Sequence, residues 1–86
     1  MKQFTYTIAD SLGIHARPAG LLARAAREYP DTEIMISKGE ASAKATQLMK
    51  IMAMGVRVGD LVTVTAEGSS EEQAIRAMRK FFEENL

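Results

Sequence analysis

The hydrophobic pattern of this chain switches between the period of a strand and the period of a helix within only 86 residues. Phe4, Tyr6 and Ile8 alternate with polar residues, which predicts a first strand with one buried face. From about Arg17 to Tyr29 the apolar residues recur at helical spacing instead. The same reading along the rest of the chain predicts the order β-α-β-β-α-β-α. Because four strands in so short a chain cannot bury both faces of a sheet, we expect the helices to cover one face only.

Turn and cap signals place the remaining elements. A hairpin turn at 38–40 leads into a third strand over about 41–44. A short helix is predicted over about 47–54, and the last helix begins near Ser70, which matches a capping box with Gln73. The fold class is therefore α+β. It is an open-faced β-sandwich, in which a four-stranded antiparallel sheet carries three helices on one face.

Composition limits the domain count and the class of function. A chain of residues 1–86 has room for a single domain. Eleven acidic residues balance eleven basic ones, so we expect no nucleic-acid partner. With no cysteine and one histidine, we expect no metal site and no other cofactor. No apolar run approaches the ~20 residues that span a bilayer, and the N-terminus is typical of a strand and not of a signal peptide. A cytoplasmic protein without membrane insertion is expected.

The single histidine, His15, stands just before Arg17 and Pro18 at the predicted start of the first helix. A helix start presents unpaired amides and the positive end of the macrodipole, which favours a neutral, nucleophilic imidazole. The same amides and the Arg17 guanidinium could hold a phosphoryl group on that ring. Proline is compatible with a first helical turn and fixes it. The segment indicates phosphoryl transfer through a histidine; a simple N-cap and a solvated arginine are the alternatives.

The second predicted helix is unusually rich in large apolar residues. Two turns packed on one side cannot bury five of them, so we expect Leu48 and Ile51 to point inward and Met49 and Met52 to stay partly exposed. Flexible methionine side chains suit a surface that adapts to several partners. A helix covered entirely by the core is the alternative. If Leu21 of the first helix lies alongside, an apolar docking patch borders the histidine.

The run from Gly13 to Gly20 resembles the active-site signature of the HPr family, the histidine-containing phosphocarriers of the bacterial sugar phosphotransferase system. The resemblance extends over the whole chain, including the turn at 55–56 and the segment at 66–68. It implies that His15 accepts a phosphoryl group on Nδ1 from phosphorylated enzyme I and passes it to enzyme II A domains. It also implies that Arg17 stabilises the phosphorylated state and that the protein is a relay carrier and not a stand-alone enzyme. Docking of both partners is implied at Gly20, Leu21, Arg24, Leu48, Met49 and Met52.

The chain departs from the family at its regulatory serine. That position, at the start of the second helix, falls on Gln47, with Thr46 before it. Glutamine cannot be phosphorylated, which puts regulation by HPr kinase/phosphorylase in question; Thr46 offers a substitute acceptor or, more simply, an N-cap.

Other functions remain open at this point. They are an HPr-like regulatory protein that binds transcriptional or metabolic partners, such as a transcription regulator, and a specialised phosphorelay outside sugar transport. A phosphohydrolase is disfavoured, because the sequence offers neither paired carboxylates near the histidine nor metal ligands. We expect a monomer.

Overall fold

Four strands and three helices follow one another in the computed structural model, which describes residues 1–86. They are β1 (Lys2–Thr7), α1 (Ala16–Ala26), β2 (Thr32–Lys38), β3 (Ala41–Lys44), α2 (Leu48–Ala53), β4 (Leu61–Gly68) and α3 (Glu71–Asn85). This order confirms the one predicted from hydrophobic periodicity. None of the helices combines the length and the apolar composition needed to span a bilayer.

The strands form one antiparallel sheet in the order β1-β4-β2-β3. The central strand β4 pairs with β1 and β2, so that Val64 lies between Phe4 on one side and Ile36 on the other. All three side chains are buried, whereas Thr63 and Thr65, which point to the opposite face of the sheet, are half-buried. The helices therefore cover one face, and the fold is the predicted open-faced β-sandwich.

The covered face is packed mainly by α3. Its residues Ala74, Met78 and Phe82 are spaced four apart, lie in one row along the helix and are fully buried. The Phe82 ring makes edge-to-face contacts with Phe4 and Tyr6 of β1, at centroid distances of 5.7 and 5.6 Å. This aromatic cluster fixes α3 over the first strand.

Helix α1 ends at Ala26, three residues before the predicted end at Tyr29. The amides of Glu28 and Tyr29 bond to the carbonyls of Ala25 and Ala26, three residues back, which tightens the last turn. Pro30 disfavours helical backbone at the residue before it, so the helix cannot continue through Tyr29.

The predicted capping box at the start of α3 is wrong. The Ser70 side chain makes no cap hydrogen bond; its hydroxyl donates to Asp31 at 3.0 Å, and its amide donates to the Thr32 hydroxyl at 2.9 Å. The carboxylate of Glu71 accepts the Gly68 amide at 3.2 Å. Contacts with Asp31 and Thr32, where the α1–β2 loop meets β2, therefore replace the cap between Ser70 and Gln73 that the sequence suggested.

Candidate functional site

His15 is the N-cap residue of α1, with an extended backbone (φ −99°, ψ −176°) and a half-buried side chain. Its imidazole makes no cap hydrogen bond, while its carbonyl accepts the first helical bond, from the Ala19 amide at 3.0 Å. The amides of Ala16 and Arg17 precede that bond, and Pro18 has no amide. The imidazole, two amides and the exposed Arg17 side chain thus lie together at the N-terminal end of one helix.

The backbone just before His15 packs against the turn that follows α2. Ile14 is buried, and its amide donates to the Val56 carbonyl at 3.2 Å. Gly13 has a φ of +65°, and a Cβ there would overlap the same carbonyl oxygen and lie 2.9 Å from the Cα of Arg57. Only glycine meets both conditions. This close approach therefore fixes the backbone that leads into His15 against the turn that follows α2.

His15 ends the loop that connects β1 to α1, and the first half of this loop is hydrogen-bonded to the end of α3. The backbone oxygen of Leu86, whose side chain is buried, accepts the amides of Ala9 and Asp10 at 2.6 and 2.8 Å. The Asp10 carboxylate accepts the Leu12 amide at 2.8 Å, and its carbonyl accepts the Gly13 amide at 2.9 Å. The loop is thus ordered without any hydrogen bond from the imidazole to these groups. Sequence reasoning missed the contacts to Val56 and Leu86, because backbone carbonyls give no residue-type signal.

Helices α1 and α2 pack against each other and leave large apolar side chains exposed. Leu21 is 38% exposed, Met49 75% and Met52 39%, whereas Ile51 is fully buried. We call Leu21, Met49 and Met52 the apolar patch. They lie on two helices that pack against each other, and exposed apolar groups on adjoining elements are typical of interaction surfaces. All the predicted docking residues are at least partly accessible: Gly20, Leu21, Arg24, Leu48, Met49 and Met52.

Comparison with known proteins decides the family. The family model for the PTS HPr component phosphorylation site matches residues 2–84. This chain belongs to the HPr family. It is 33% identical to the phosphocarrier protein HPr of Mycoplasma genitalium, over 99% of this chain and 97% of the relative.

Solved HPr structures share the whole fold. HPr from Thermoanaerobacter tengcongensis superposes with a TM-score of 0.89 at 37% identity, covering 96% of this chain and 92% of the other. Crh, a catabolite repression protein of Bacillus subtilis described as a swapped dimer, gives a TM-score of 0.77 at 26% identity, over 100% of this chain and 98% of the other. The resemblance to the HPr family and the fold class predicted from the hydrophobic pattern are both confirmed.

At the start of α2 this HPr-family chain differs from the prediction. The N-cap residue is Gln47 (φ −103°, ψ 84°) and not Thr46, so the cap predicted at Thr46 is wrong. The Gln47 amide bonds to the Lys44 carbonyl at 2.9 Å in a turn, and the Gln47 carbonyl accepts the Ile51 amide at 3.0 Å. Thr46 therefore lies inside a turn that precedes the helix, and the first helical bond is the one accepted by the Gln47 carbonyl. Thr46 itself is exposed.

The one groove of this HPr-family structure does not include His15. It has a volume of about 490 Å³ and is formed by the C-terminal end of α1 and the adjoining ends of three strands, including Arg27, Asp31 and Lys44. Thr46 also lines it. The imidazole lies outside this groove, on a surface that a protein partner can reach.

Proposed function

We propose that this protein is a phosphocarrier of the sugar phosphotransferase system, which works in the cytoplasm. It accepts a phosphoryl group on His15 from phosphorylated enzyme I and passes it to enzyme II A domains. The observation that carries the proposal is the position of His15 as N-cap of α1. Its ring is not used for capping, and the next two amides along the chain precede the first helical bond.

The chemistry follows from this arrangement. The unprotonated Nδ1 attacks phosphorus roughly in line with the bond to enzyme I; the nitrogen–phosphorus bond forms as that bond breaks. The negative oxygens of the phosphoryl group then accept hydrogen bonds from the Ala16 and Arg17 amides and from the Arg17 guanidinium. An exposed helix-terminus contact is worth about 0.3–1 kcal/mol. Interactions of this size orient the group and still let it leave, as a carrier requires.

The apolar patch supports docking of both partners on the same surface. It lies on α1 and α2, and α1 carries His15 at its N-terminus. The flexible side chains of Met49 and Met52 can adapt to two different partner surfaces. Arg24, exposed on α1, adds a positive charge to this side of the helix. We propose that Gly20 lets partners approach the helix backbone closely, since no atom lies within 4 Å of the position that a Cβ would take there.

The test is incubation with enzyme I and phosphoenolpyruvate, followed by intact mass before and after mild acid. We expect an acid-labile gain of one phosphoryl group that is absent in His15→Ala. Arg17→Ala should still fold and should accept the group roughly tenfold more slowly, the effect of losing a charge-assisted hydrogen bond of about 1.5 kcal/mol. A His15→Ala variant that still gains the group would refute the assignment of the acceptor.

The likeness to Crh over the full chain makes a regulatory protein the second candidate. In that case the chain would bind a transcriptional or metabolic partner and gain no phosphoryl group from enzyme I. The histidine at the helix start supports the carrier, because binding alone needs no nucleophile there. For kinase-dependent regulation, Gln47 offers no hydroxyl, and exposed Thr46 would be the acceptor; mass analysis after treatment with HPr kinase/phosphorylase tests this.

A further inference from the structure

A polar cluster outside the site joins the end of β2 to the loop at 55–60 that leads from α2 to β4. The Lys38 ammonium lies 2.8 Å from the Asp60 carboxylate and donates to the Gly55 carbonyl at 3.3 Å. The same carboxylate oxygen of Asp60 accepts the Arg57 amide at 2.8 Å. We call Lys38, Gly55, Arg57 and Asp60 the clasp. Because Gly55 and Asp60 are the two ends of the loop, the clasp holds both ends with one lysine.

The clasp is more sheltered than an ordinary surface ion pair. The side chains of Lys38 and Asp60 are 35% and 29% exposed. The Lys38 hydrogen bond and the Arg57 amide hold the pKa of Asp60 below its ordinary value. On the neighbouring strand, Lys44 pairs with Glu33 at 3.7 Å, with side chains that are 54% and 59% exposed. Solvent screens that pair more strongly, and it makes no contact with the loop at 55–60 among its hydrogen bonds and ion pairs.

The loop held by the clasp is the surface on which the histidine segment rests. Val56 stands between Gly55 and Arg57, and its carbonyl accepts the Ile14 amide at 3.2 Å. Ile14 directly precedes His15. The clasp thus holds the residues on either side of Val56, and Val56 holds the residue just before His15.

We propose that Lys38 and Asp60 are positioning residues for His15. By fixing the loop at 55–60 they fix the Val56 carbonyl, and through Ile14 they fix the direction in which the imidazole meets the incoming phosphoryl group. This inference rests on the proposed function. Loss of the clasp leaves the apolar patch in place, so it slows the transfer step and spares docking.

The experiment compares Lys38→Met and Asp60→Asn with the wild type as substrates of enzyme I. We expect kcat to fall roughly three- to tenfold while KM stays within about twofold, because only the orientation of the acceptor is disturbed. Lys44→Met is the matched control, since it breaks an ion pair of the same hairpin that does not reach the loop, and it should behave as the wild type. Lys38→Arg retains the charge and the donor and should recover most of kcat.

Amide spectra give a second readout that does not depend on phosphoryl transfer. The Ile14 and His15 resonances should shift in Lys38→Met and not in Lys44→Met. An unchanged kcat in both clasp variants, a change confined to KM, or an equal loss of kcat in Lys44→Met would overturn the positioning role. If the wild type gains no phosphoryl group, the proposed function fails. The amide shifts then still decide whether the clasp orders the histidine segment.

Discussion

Gly13→Ala should destabilise the protein for two reasons, the left-handed backbone at Gly13 and its close approach to Val56. Holding alanine at a φ near +65° costs about 1–2 kcal/mol. The new Cβ would also overlap the Val56 carbonyl oxygen, so the loop must move. That movement breaks the hydrogen bond from Ile14 to Val56, worth about 0.5–1.5 kcal/mol net. The free energy of unfolding should fall by about 1.5–3.5 kcal/mol in total.

Gly39→Ala is the matched control for this prediction. Gly39 has a nearly equal φ of +59°, but no atom lies within 4 Å of the Cβ position. Its substitution should therefore cost only the conformational part, about 1–2 kcal/mol. Urea unfolding followed by circular dichroism measures both variants. Equal losses in Gly13→Ala and Gly39→Ala would show that the close approach to Val56 contributes nothing, and the reasoning would be refuted.

Three further predictions concern the core, a helix position and the clasp. Ile51→Ala should lower the free energy of unfolding by about 2–5 kcal/mol because Ile51 is fully buried. Met49→Ala, at a side chain that is 75% exposed, should change it by less than about 0.5 kcal/mol in the same urea titration. Gly20→Ala should stabilise the protein by about 0.5–1 kcal/mol, seen as a higher Tm, since the helix gains a better former and the Cβ meets open space. The lowered pKa of Asp60 means that its contribution to stability is present above the ordinary carboxyl pKa and is lost as the pH falls through the folded-state value. Asp60→Asn should therefore be less stable than the wild type at neutral pH, and the gap in urea midpoints should narrow as the pH falls below the ordinary carboxyl pKa.

The fold could be predicted from the sequence because its signals are local. Alternation around Val64 and the helical spacing of Ala74, Met78 and Phe82 each involve neighbours along the chain. The capping box predicted at the start of α3 is wrong because the Ser70 amide bonds to the Thr32 hydroxyl, 38 residues away. Local propensity cannot report such a partner, since only the packed sheet brings the two together.

For the candidate site, too, the sequence shows the local signals and not the long-range contacts. A histidine, an arginine and a proline at a helix start are visible in one short segment. What orients His15 is not visible, because Val56 and Leu86 act through backbone carbonyls and belong to distant segments. The pairing of Lys38 with Asp60 depends on the sheet bringing β2 next to the start of β4. Residue types thus indicate a candidate chemistry for the site, whereas its geometry comes only from the fold.

The most direct measurement of the carrier role is onward transfer. The protein is loaded with one phosphoryl group by enzyme I and phosphoenolpyruvate, separated from both and mixed with an enzyme II A domain, and both proteins are then followed by intact mass. We predict that the phosphoryl group leaves this protein and appears on the A domain. A group that stays on His15 until it hydrolyses, with none gained by the A domain, would contradict the proposal that this protein carries phosphoryl groups to sugar uptake.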